Sequence, residues 1–360
     1  MMIQDHSDII LETLRNANRF KETVFIHKLS GSIADCESRL MPVLRDMDTL
    51  HETGIRQIVI HGAGNAISDE MDKAGLVPKF IDGRRVTDEH TMRIVYDVLR
   101  RISHSILLSA RRQGIGRRFI DFGPFMNRIA TAHRTDPNLG FVGTLCAMNV
   151  SFLHEALKCN LIPIIPSFAF DIDGQPCNVN ADDMASGIAA VMKAEKLIYM
   201  SDIPGVMDGN GNLIETLDQN ETERLIGTGI ISGGMIPKVR SIFRTLNQGV
   251  KCVHLIDGTK PDSLLKEIMT DTGNGTMFIP LKTPVIVRLT RNRKAPRLFF
   301  LPSFPFLPFH PLLPFSHFNI IRFTHLQSTD QSRKESSRIP NVPEDRLPHF
   351  SRQPFADSCR

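Results

Sequence analysis

The sequence contains no tryptophan, only two tyrosines among its 360 residues, and six cysteines that never form a C-x-x-C pair. Cysteines scattered in this way argue against a disulfide framework and a structural zinc site, and they are typical of thiols in a reducing compartment. No segment reaches the roughly 20 apolar residues of a membrane-spanning helix. We therefore expect a cytoplasmic protein with no membrane association and no bound structural metal.

Charge of either sign is not in large excess, since the formal net charge is +4. Residues 281–360 carry 13 Lys and Arg against 5 Asp and Glu, so the first 280 residues are slightly acidic. This distribution argues against nucleic-acid binding. Asp5, Asp8 and Glu12 interrupt the apolar residues of the N-terminus, which therefore lacks the pattern of a secretory signal.

Short β-rich segments alternate with longer helical patterns from about residue 23 to residue 280. This alternation predicts βα units and an α/β fold with a mainly parallel sheet. Ligands in open α/β sheets bind beyond the carboxyl ends of the strands, so we expect the loops after the strands to form the site. The clearest predicted strands are Thr23–Lys28, Gln57–His61, Leu161–Pro166, Lys196–Ser201 and Lys251–Asp257.

Two terminal segments lie outside this alternation. Ser7 is predicted to cap a helix that places Ile10, Leu14 and Ala17 on one face, which packs either on its own lobe or on a neighbouring subunit. The last 80 residues contain 11 of the 22 prolines, which argues against regular helices there. We interpret residues 281–360 as an unstructured extension, with a membrane-surface or partner-binding arm as the alternative.

Two predicted strands run into loops of small residues. Lys28 precedes Ser30-Gly31-Ser32, and His61 precedes Gly62-Ala63-Gly64. Backbone N–H groups of such loops and of helix starts favour anions, and a lysine adds a point charge. The alternatives are a surface lysine before a turn and a tight turn with a core histidine.

Two polar segments precede predicted helices in the same half of the chain. Arg84 and Arg85 suit a bidentate grip on a substrate carboxylate, with a solvated basic turn as the alternative. Thr87 or Asp88 is expected to cap the helix that follows, residues 89–112. Further on, Asn178-Val179-Asn180-Ala181-Asp182-Asp183 either holds a polar substrate and orients lysines or only caps a helix, and spacing does not distinguish its two aspartates.

The second half repeats the pattern of a glycine-bearing turn with a lysine. The segment Ser201-Asp202-Ile203-Pro204-Gly205 follows a strand and has the small and apolar residues that accept a nucleotide base. Gly233 and Gly234 precede Lys238, with Pro237 placed for a helix's first turn. Together the two lysine-bearing turns indicate a phosphoryl group held between the halves of the chain.

As an ordered set, these motifs resemble those of acetylglutamate kinases over roughly residues 8–280. The matching segments are Lys28-x-x-Gly31, His61-Gly62-x-Gly64, Arg85-Val86-Thr87-Asp88, Gly140-Phe141-Val142-Gly143, Asn178-x-Asn180-Ala181-Asp182, Ser201-Asp202-x-Pro204-Gly205-Val206 and Gly233-Gly234-Met235-Ile236-Pro237-Lys238. The resemblance implies a three-layer αβα sandwich with an open, mainly parallel sheet of eight strands. It also implies an N-terminal helix (1–22), a lobe for acetylglutamate (23–194) and a lobe for ATP with Mg²⁺ (195–280).

The resemblance also implies roles for individual residues. Lys28 and Lys238 would flank the transferred phosphoryl group, and Asp182 would orient them. The substrate-binding residues would be Gly62, Ala63, Arg85 and Asn178, and the nucleotide side would comprise Gly31, Ser201, Asp202, Gly205, Gly233 and Gly234. A substrate carboxylate is already ionised at neutral pH, so such a reaction needs no general base. Catalysis must then come from positioning and from neutralising charge on the phosphoryl oxygens.

The N-terminal helix resembles that of the hexameric, arginine-inhibited members of the family. His254, Glu267, Gly273 and Gly275 match the positions that contact arginine in those enzymes, so the resemblance implies a homo-oligomer, a dimer or a hexamer, with arginine as an effector. Arginine biosynthesis would be the pathway.

Three departures from the family pattern leave two other functions open. Ser30 and Ala63 replace glycines, and each new Cβ would cost about 1–2 kcal/mol if the backbone needs a positive φ. The segment 116–128 also lacks the family's Ser-Gly-x-Asp-Gly turn. The alternatives are a catalytically weak paralogue that acts as a regulatory or binding subunit, and a kinase for another small acyl acceptor.

Overall fold

The computed structural model describes residues 2–281 and 321–322, with side chains from residue 7 to residue 281. Its strands, in chain order, are β1 (Val24–Leu29), β2 (Arg56–His61), β3 (Phe80–Ile81), β4 (Arg84–Arg85), β5 (Phe119–Asp121), β6 (Ala130–Arg134), β7 (Gly143–Met148), β8 (Ile162–Pro166), β9 (Phe168–Phe170), β10 (Pro176–Asn178), β11 (Lys196–Ser201), β12 (Thr216–Leu217), β13 (Cys252–Asp257), β14 (Thr276–Phe278) and β15 (Ile321–Arg322).

The helices surround these strands. In chain order they are α1 (Met2–Phe20), α2 (Gly31–Ala34), α3 (Glu37–Glu52), α4 (Gly64–Lys73), α5 (Glu89–Arg112), α6 (Met126–Ile129), α7 (Ser151–Lys158), α8 (Ala181–Val191), α9 (Gln219–Gly227), α10 (Met235–Asn247) and α11 (Ser263–Met269). Within the described ranges, no helix combines the length and the apolar character needed to cross a membrane.

The central sheet has eight strands in the order β12-β14-β13-β11-β1-β2-β8-β5, and β13 with β14 is its antiparallel pair. The central strands are buried on both faces, as a parallel sheet covered by helices requires. Residues 24–166 supply one half of the sheet and residues 196–278 the other, and β1 pairs with β11 where the halves meet. This arrangement confirms the predicted α/β fold with a mainly parallel sheet.

A smaller sheet has the order β10-β9-β6-β7-β15, and a hairpin of β3 and β4 stands apart from both sheets. All five strands chosen from the sequence exist, with ends shifted by one residue at most. The smaller sheet was not predicted. Its strands have two to six residues, too few to establish an alternating pattern.

The N-terminal helix differs from its prediction. Helix α1 begins at Met2, so Ser7 lies inside it and the predicted N-cap at Ser7 is wrong. Ile10 and Leu14 are exposed, whereas Phe20 is buried against the chain's own core. The predicted extension lies outside the described residues, apart from Leu281 and the two residues of β15, which pair with β7.

Candidate functional site

The carboxyl end of β1 brings Lys28 to the start of α8. Its Nζ lies 2.8 Å from Oδ1 of Asp182, and the two side chains are 15% and 30% exposed. Burial opposes ionisation of Asp182, but the charge and hydrogen bond of Lys28 and the charge of Lys238 hold the pKa of Asp182 below its ordinary value. This aspartate is therefore a stable anion between two cations.

The second lysine approaches Asp182 from α10. Burial, reinforced by the charge of Lys28, lowers the pKa of Lys238 against the opposing charges of Asp182 and Asp202. Lys238 lines a cavity of about 360 Å³ together with Asp182 and Gly234. The three charged residues are thus gathered as the sequence predicted, although Lys28 and Lys238 are 210 positions apart in the chain.

Arg85 is held firmly inside the first half of the chain. Its Nη2 donates to the carbonyl oxygen of Gly64 at 2.9 Å and to Oγ of Ser68 at 2.8 Å, and its guanidinium lies over the ring of Phe80. Burial lowers its pKa. The residue is only 8% exposed, yet it lines the cavity described next, so its guanidinium is oriented in advance.

A cavity of about 310 Å³ lies between the loops of the first half. Its lining includes the predicted residues Lys28, Gly31, Gly62, Ala63, Arg85, Asn178 and Asp182. Nδ2 of Asn178 donates to Oγ1 of Thr87 at 3.1 Å, and Oδ1 of Asn180 caps α8 by accepting from the backbone N–H of Asp182. Asp182 also lines the cavity beside Lys238, so it stands between the two spaces.

The two non-glycine positions in the glycine loops adopt ordinary backbone angles. Ser30 has φ −69° and Ala63 has φ −153°, so neither needs the left-handed region. The backbone strain that we considered for these positions is absent. Gly62 is the crowded position, since a Cβ there would lie 3.1 Å from Cβ of Ala181. His61 is fully buried and bonds Oγ of Ser103, which supports its interpretation as a core histidine.

The residues predicted to bind the nucleotide are more widely spread than those predicted to bind acetylglutamate. Ser201 ends β11 and is buried, while Gly233 has φ 55° and open space around it. Gly205 lines neither cavity; a Cβ there would collide with Thr276, whose hydroxyl accepts from the backbone N–H of Val206. Gly205 is thus explained by close packing, and its contact with a nucleotide stays a prediction.

The unusual segment 116–128 lies away from both cavities. It contains β5, the edge strand of the central sheet, and Asp121 there pairs with Arg100 at 3.4 Å. None of these residues, all within the described ranges, lines either cavity. Its departure from the family pattern therefore does not alter the site directly.

From the sequence, Arg84 was either a carboxylate contact or part of a solvated basic turn, and the resemblance gave a role only to Arg85. Arg84 lines both cavities and forms a 3.6 Å ion pair with Asp183 at the start of α8. The two arginines are adjacent in sequence, and only the tertiary contacts separate a buried guanidinium from one that is partly exposed. Asp183 itself is distinguished from Asp182 by its partner, Arg84 instead of Lys28.

The residues matched to an arginine site surround a separate cavity of about 180 Å³ beneath α1. Nδ1 of His254 lies 2.5 Å from Oε1 of Glu267, whose Oε2 accepts from the backbone N–H of Gly275 at 2.8 Å. Gly273 has φ 59° and passes so close to Glu267 that a Cβ would crowd its carboxylate. Nζ of Lys196, which the sequence did not indicate, lies 2.8 Å from Nε2 of His254.

Comparison with known proteins identifies the family of this chain. The model of the amino acid kinase family matches residues 23–257. The acetylglutamate kinase of Campylobacter hominis is 35% identical over 271 residues, covering 75% of this chain and 96% of that protein. That of Pseudothermotoga lettingae is 36% identical over 278 residues, covering 77% and 99%.

Solved structures share the fold at lower identity. N-acetylglutamate synthase from Neisseria gonorrhoeae, complexed with coenzyme A and L-arginine, gives a TM-score of 0.65 at 20% identity and covers 76% of this chain, which spans only 65% of the synthase. Carbamate kinase from Giardia lamblia bound to AMP-PNP gives 0.52 at 13% identity, covering 72% and 98%. The chain therefore belongs to the amino acid kinase family and, within it, to the acetylglutamate kinases.

Proposed function

We propose that this protein transfers the γ-phosphoryl group of ATP to the side-chain carboxylate of N-acetyl-L-glutamate, the second step of arginine biosynthesis, and that the two cavities joined at Asp182 are its active site. The observation that carries the proposal is the Lys28–Asp182–Lys238 arrangement between those cavities. In this proposal, residues 23–194 bind acetylglutamate and residues 195–280 bind ATP, with the lobe boundaries expected from the sequence.

The acceptor carboxylate is bound in the first cavity. Arg85 has its guanidinium fixed by Gly64 and Ser68, so it binds the other carboxylate of the substrate without first losing rotational freedom. Asn178 offers its amide to the polar acetylglutamate backbone. Gly62 and Ala63 line this cavity and offer backbone groups to the reacting carboxylate, and a larger residue at Gly62 would crowd Ala181.

The transferred group is stabilised by charge. Lys28 and Lys238 approach from opposite halves of the chain and neutralise the equatorial phosphoryl oxygens as negative charge shifts between donor and acceptor. Asp182 keeps both ammonium groups in place. No residue has to remove a proton, since the nucleophile is already an anion.

The nucleotide occupies the side formed by the second half of the chain. The predicted contacts are Gly31, Ser201, Asp202, Gly205, Gly233 and Gly234. Mg²⁺ enters with the nucleotide, whose phosphate oxygens supply its preferred hard ligands. Asp202 faces the same region, as its charge acts on Lys238. We further propose a cytoplasmic location, in keeping with five free cysteines in the described part of the chain.

The decisive experiment traps the acyl phosphate with hydroxylamine in the presence of ATP, Mg²⁺ and N-acetyl-L-glutamate. We expect turnover that falls about 100-fold to 1000-fold in Lys238→Ala, by analogy with removal of one preorganised donor. Binding of ATP without any turnover would instead favour the regulatory paralogue. Faster turnover of a different acyl acceptor would favour the third alternative.

We also propose that L-arginine binds beneath α1 and inhibits the enzyme. The cavity there presents cations at Arg19 and Lys196 and anions at Glu215 and Asp271, a mixture that suits a zwitterion with a cationic side chain. L-arginine should raise Tm saturably and reduce turnover, whereas L-lysine at equal concentration should do neither. An unchanged Tm and rate with L-arginine would remove this proposal.

The exposed face of α1 supports a homo-oligomer. Ile9, Ile10, Leu11 and Leu14 are 52–63% exposed, an apolar stripe that a neighbouring subunit would cover. Light scattering after size-exclusion chromatography should give a dimer or hexamer. Replacing Ile10 and Leu14 by serine should reduce the mass of the assembly, and a monomeric wild-type protein would contradict this proposal.

A further inference from the structure

A chain of three hydroxyl groups, of which two are buried and one is half-buried, joins the helix that carries Asp182 to the helix that carries Lys238. Oγ1 of Thr245 on α10 lies 2.7 Å from Oγ of Ser186 on α8, and it is also 3.0 Å from the carbonyl oxygen of Ser241 in its own helix. Oγ of Ser186 lies 3.1 Å from the phenolic oxygen of Tyr199 on β11. Thr245 and Tyr199 are 1% and 2% exposed and Ser186 is half-buried, so water does not readily replace a lost partner of Thr245 or Tyr199.

The spacing of these hydroxyls relates them to the charged residues. Ser186 follows Asp182 by four residues, and Thr245 follows Lys238 by seven, which corresponds to one and two helical turns. Each hydroxyl therefore lies on the same side of its helix as the charged residue. A bond between the two hydroxyls fixes both the separation and the axial register of α8 and α10.

The two lysines differ in what fixes them relative to Asp182. Lys28 contacts the carboxylate directly at 2.8 Å. Lys238 interacts with it through charge, and charge alone has little directional preference. The position of Lys238 therefore depends on how α10 packs against α8, and a directional hydrogen bond between the helices makes that packing specific.

We propose that Ser186 and Thr245, supported by Tyr199, are positioning residues that set the place of Lys238 relative to Asp182 for phosphoryl transfer. The proposal rests on the catalytic roles given above to Asp182 and Lys238. None of the three residues lines either cavity, so they would act through the two helices.

A matched pair of substitutions tests the hydroxyl itself. Thr245→Val keeps the shape of the side chain and removes the hydroxyl, whereas Thr245→Ser keeps the hydroxyl and removes a methyl group. We expect Thr245→Val to lower kcat about fivefold to twentyfold, with both KM values within about twofold of wild type, because a small displacement of a catalytic group costs rate. Thr245→Ser should remain within about twofold of the wild-type kcat.

A second variant examines the other partner of the same bond. Ser186→Ala should lower kcat as Thr245→Val does, and the double variant should lose no more than either single one, since both remove one interaction. Ser186→Ala by itself keeps the test valid if Thr245→Val fails to fold.

The contrary results are distinct. Equal losses of kcat in Thr245→Val and Thr245→Ser, or a lower Tm with unchanged kcat in Thr245→Val and Ser186→Ala, would show that the hydroxyls only stabilise the core. Turnover at the wild-type rate in Lys238→Ala would remove the premise and overturn the proposal together with the site assignment. A loss confined to KM would equally overturn it.

Discussion

Asp182 and Glu267 are both carboxylates beside a cation, but they differ in what remains free. Asp182 contacts Lys28, and 30% of its side chain is exposed toward the cavities. Glu267 is 4% exposed, and both of its oxygens are engaged, one by His254 and the other by two backbone N–H groups. The first carboxylate faces an open cavity, whereas the second is enclosed by its own loop.

This difference shows that a carboxylate paired with a cation can serve catalysis at one position and stability at another. A carboxylate whose side chain is partly exposed to a cavity can hold cations beside a bound ligand. Replacing it should affect turnover more than folding. A carboxylate whose hydrogen bonds are all satisfied inside the protein holds its loop in place, and replacing it should affect folding first. Substitutions at the two carboxylates test this comparison directly, and substitutions at the two arginines beside the first cavity sharpen it; the largest expected effect on activity comes first.

Asp182→Asn should lower kcat about 100-fold to 1000-fold, since it removes the anion that orients both lysines. Tm should change by only a few degrees, because the lost ion pair is partly exposed. Steady-state kinetics and thermal unfolding measure the two effects. The neighbouring Asp183→Asn is the control and should retain most of the rate. A wild-type kcat in Asp182→Asn would refute the role of this residue.

Arg85→Lys should raise KM for N-acetyl-L-glutamate about 10-fold to 100-fold, because a lysine cannot reproduce the planar bidentate contact. KM for ATP should change by less than about twofold, which distinguishes a lost substrate contact from a general defect. Both constants are measured by steady-state kinetics. An equal rise in the two KM values would contradict this role.

Glu267→Gln should destabilise the protein by about 3 kcal/mol near pH 6, as breaking a buried pair does. Burial opposes the charge on both partners, but their contact lowers the pKa of Glu267 and, with Cys252, raises that of His254. The carboxylate's contribution is present above its unfolded pKa of about 4.3 and is lost as the pH falls through the depressed value. The histidine's contribution is present below about pH 6.5 and is lost as the pH rises through the raised value.

The stability difference between wild type and Glu267→Gln should therefore be largest between about pH 4.5 and 6.5 and smaller at pH 9. Denaturant unfolding at three pH values measures it. Glu215→Gln, at an exposed position lining the same cavity, is the matched control. A difference that grows toward pH 9 would contradict the assigned pair.

Arg84→Gln should have the smallest effect, at most about a fivefold rise in KM for N-acetyl-L-glutamate. Its ion pair with Asp183 is 3.6 Å long and both side chains are at least 40% exposed, so it contributes no more than about 1 kcal/mol. The effect should diminish in high salt. A loss as large as that of Arg85→Lys would show that Arg84 contacts the substrate directly.

Much of the fold was predictable because buried strands are recognisable from short apolar segments. The carboxyl ends of parallel strands also lie at the same edge of the sheet. The segments ending at Lys28 and His61 each contain a short run of β-forming apolar residues, and their loops meet once the strands pair. The N-cap of α5 was predicted at Thr87 or Asp88, and it is Asp88 that accepts from the backbone N–H of Thr91. The cap proposed at Ser7 failed because helix α1 continues toward the N-terminus through residues that are neutral in helix propensity.

The sequence by itself determined the α/β class, the order of the strand-end loops and the residue types gathered there, because backbone preferences and apolar patterns act over short distances. Only the tertiary structure decided that Arg85 is buried while Arg84 is partly exposed, that Ser30 and Ala63 need no positive φ, and that Thr245 meets Ser186. The three side-chain contacts involve partners far away in the chain, namely Gly64 for Arg85, Asp183 for Arg84 and Ser186 for Thr245, and a local sequence pattern does not specify such contacts.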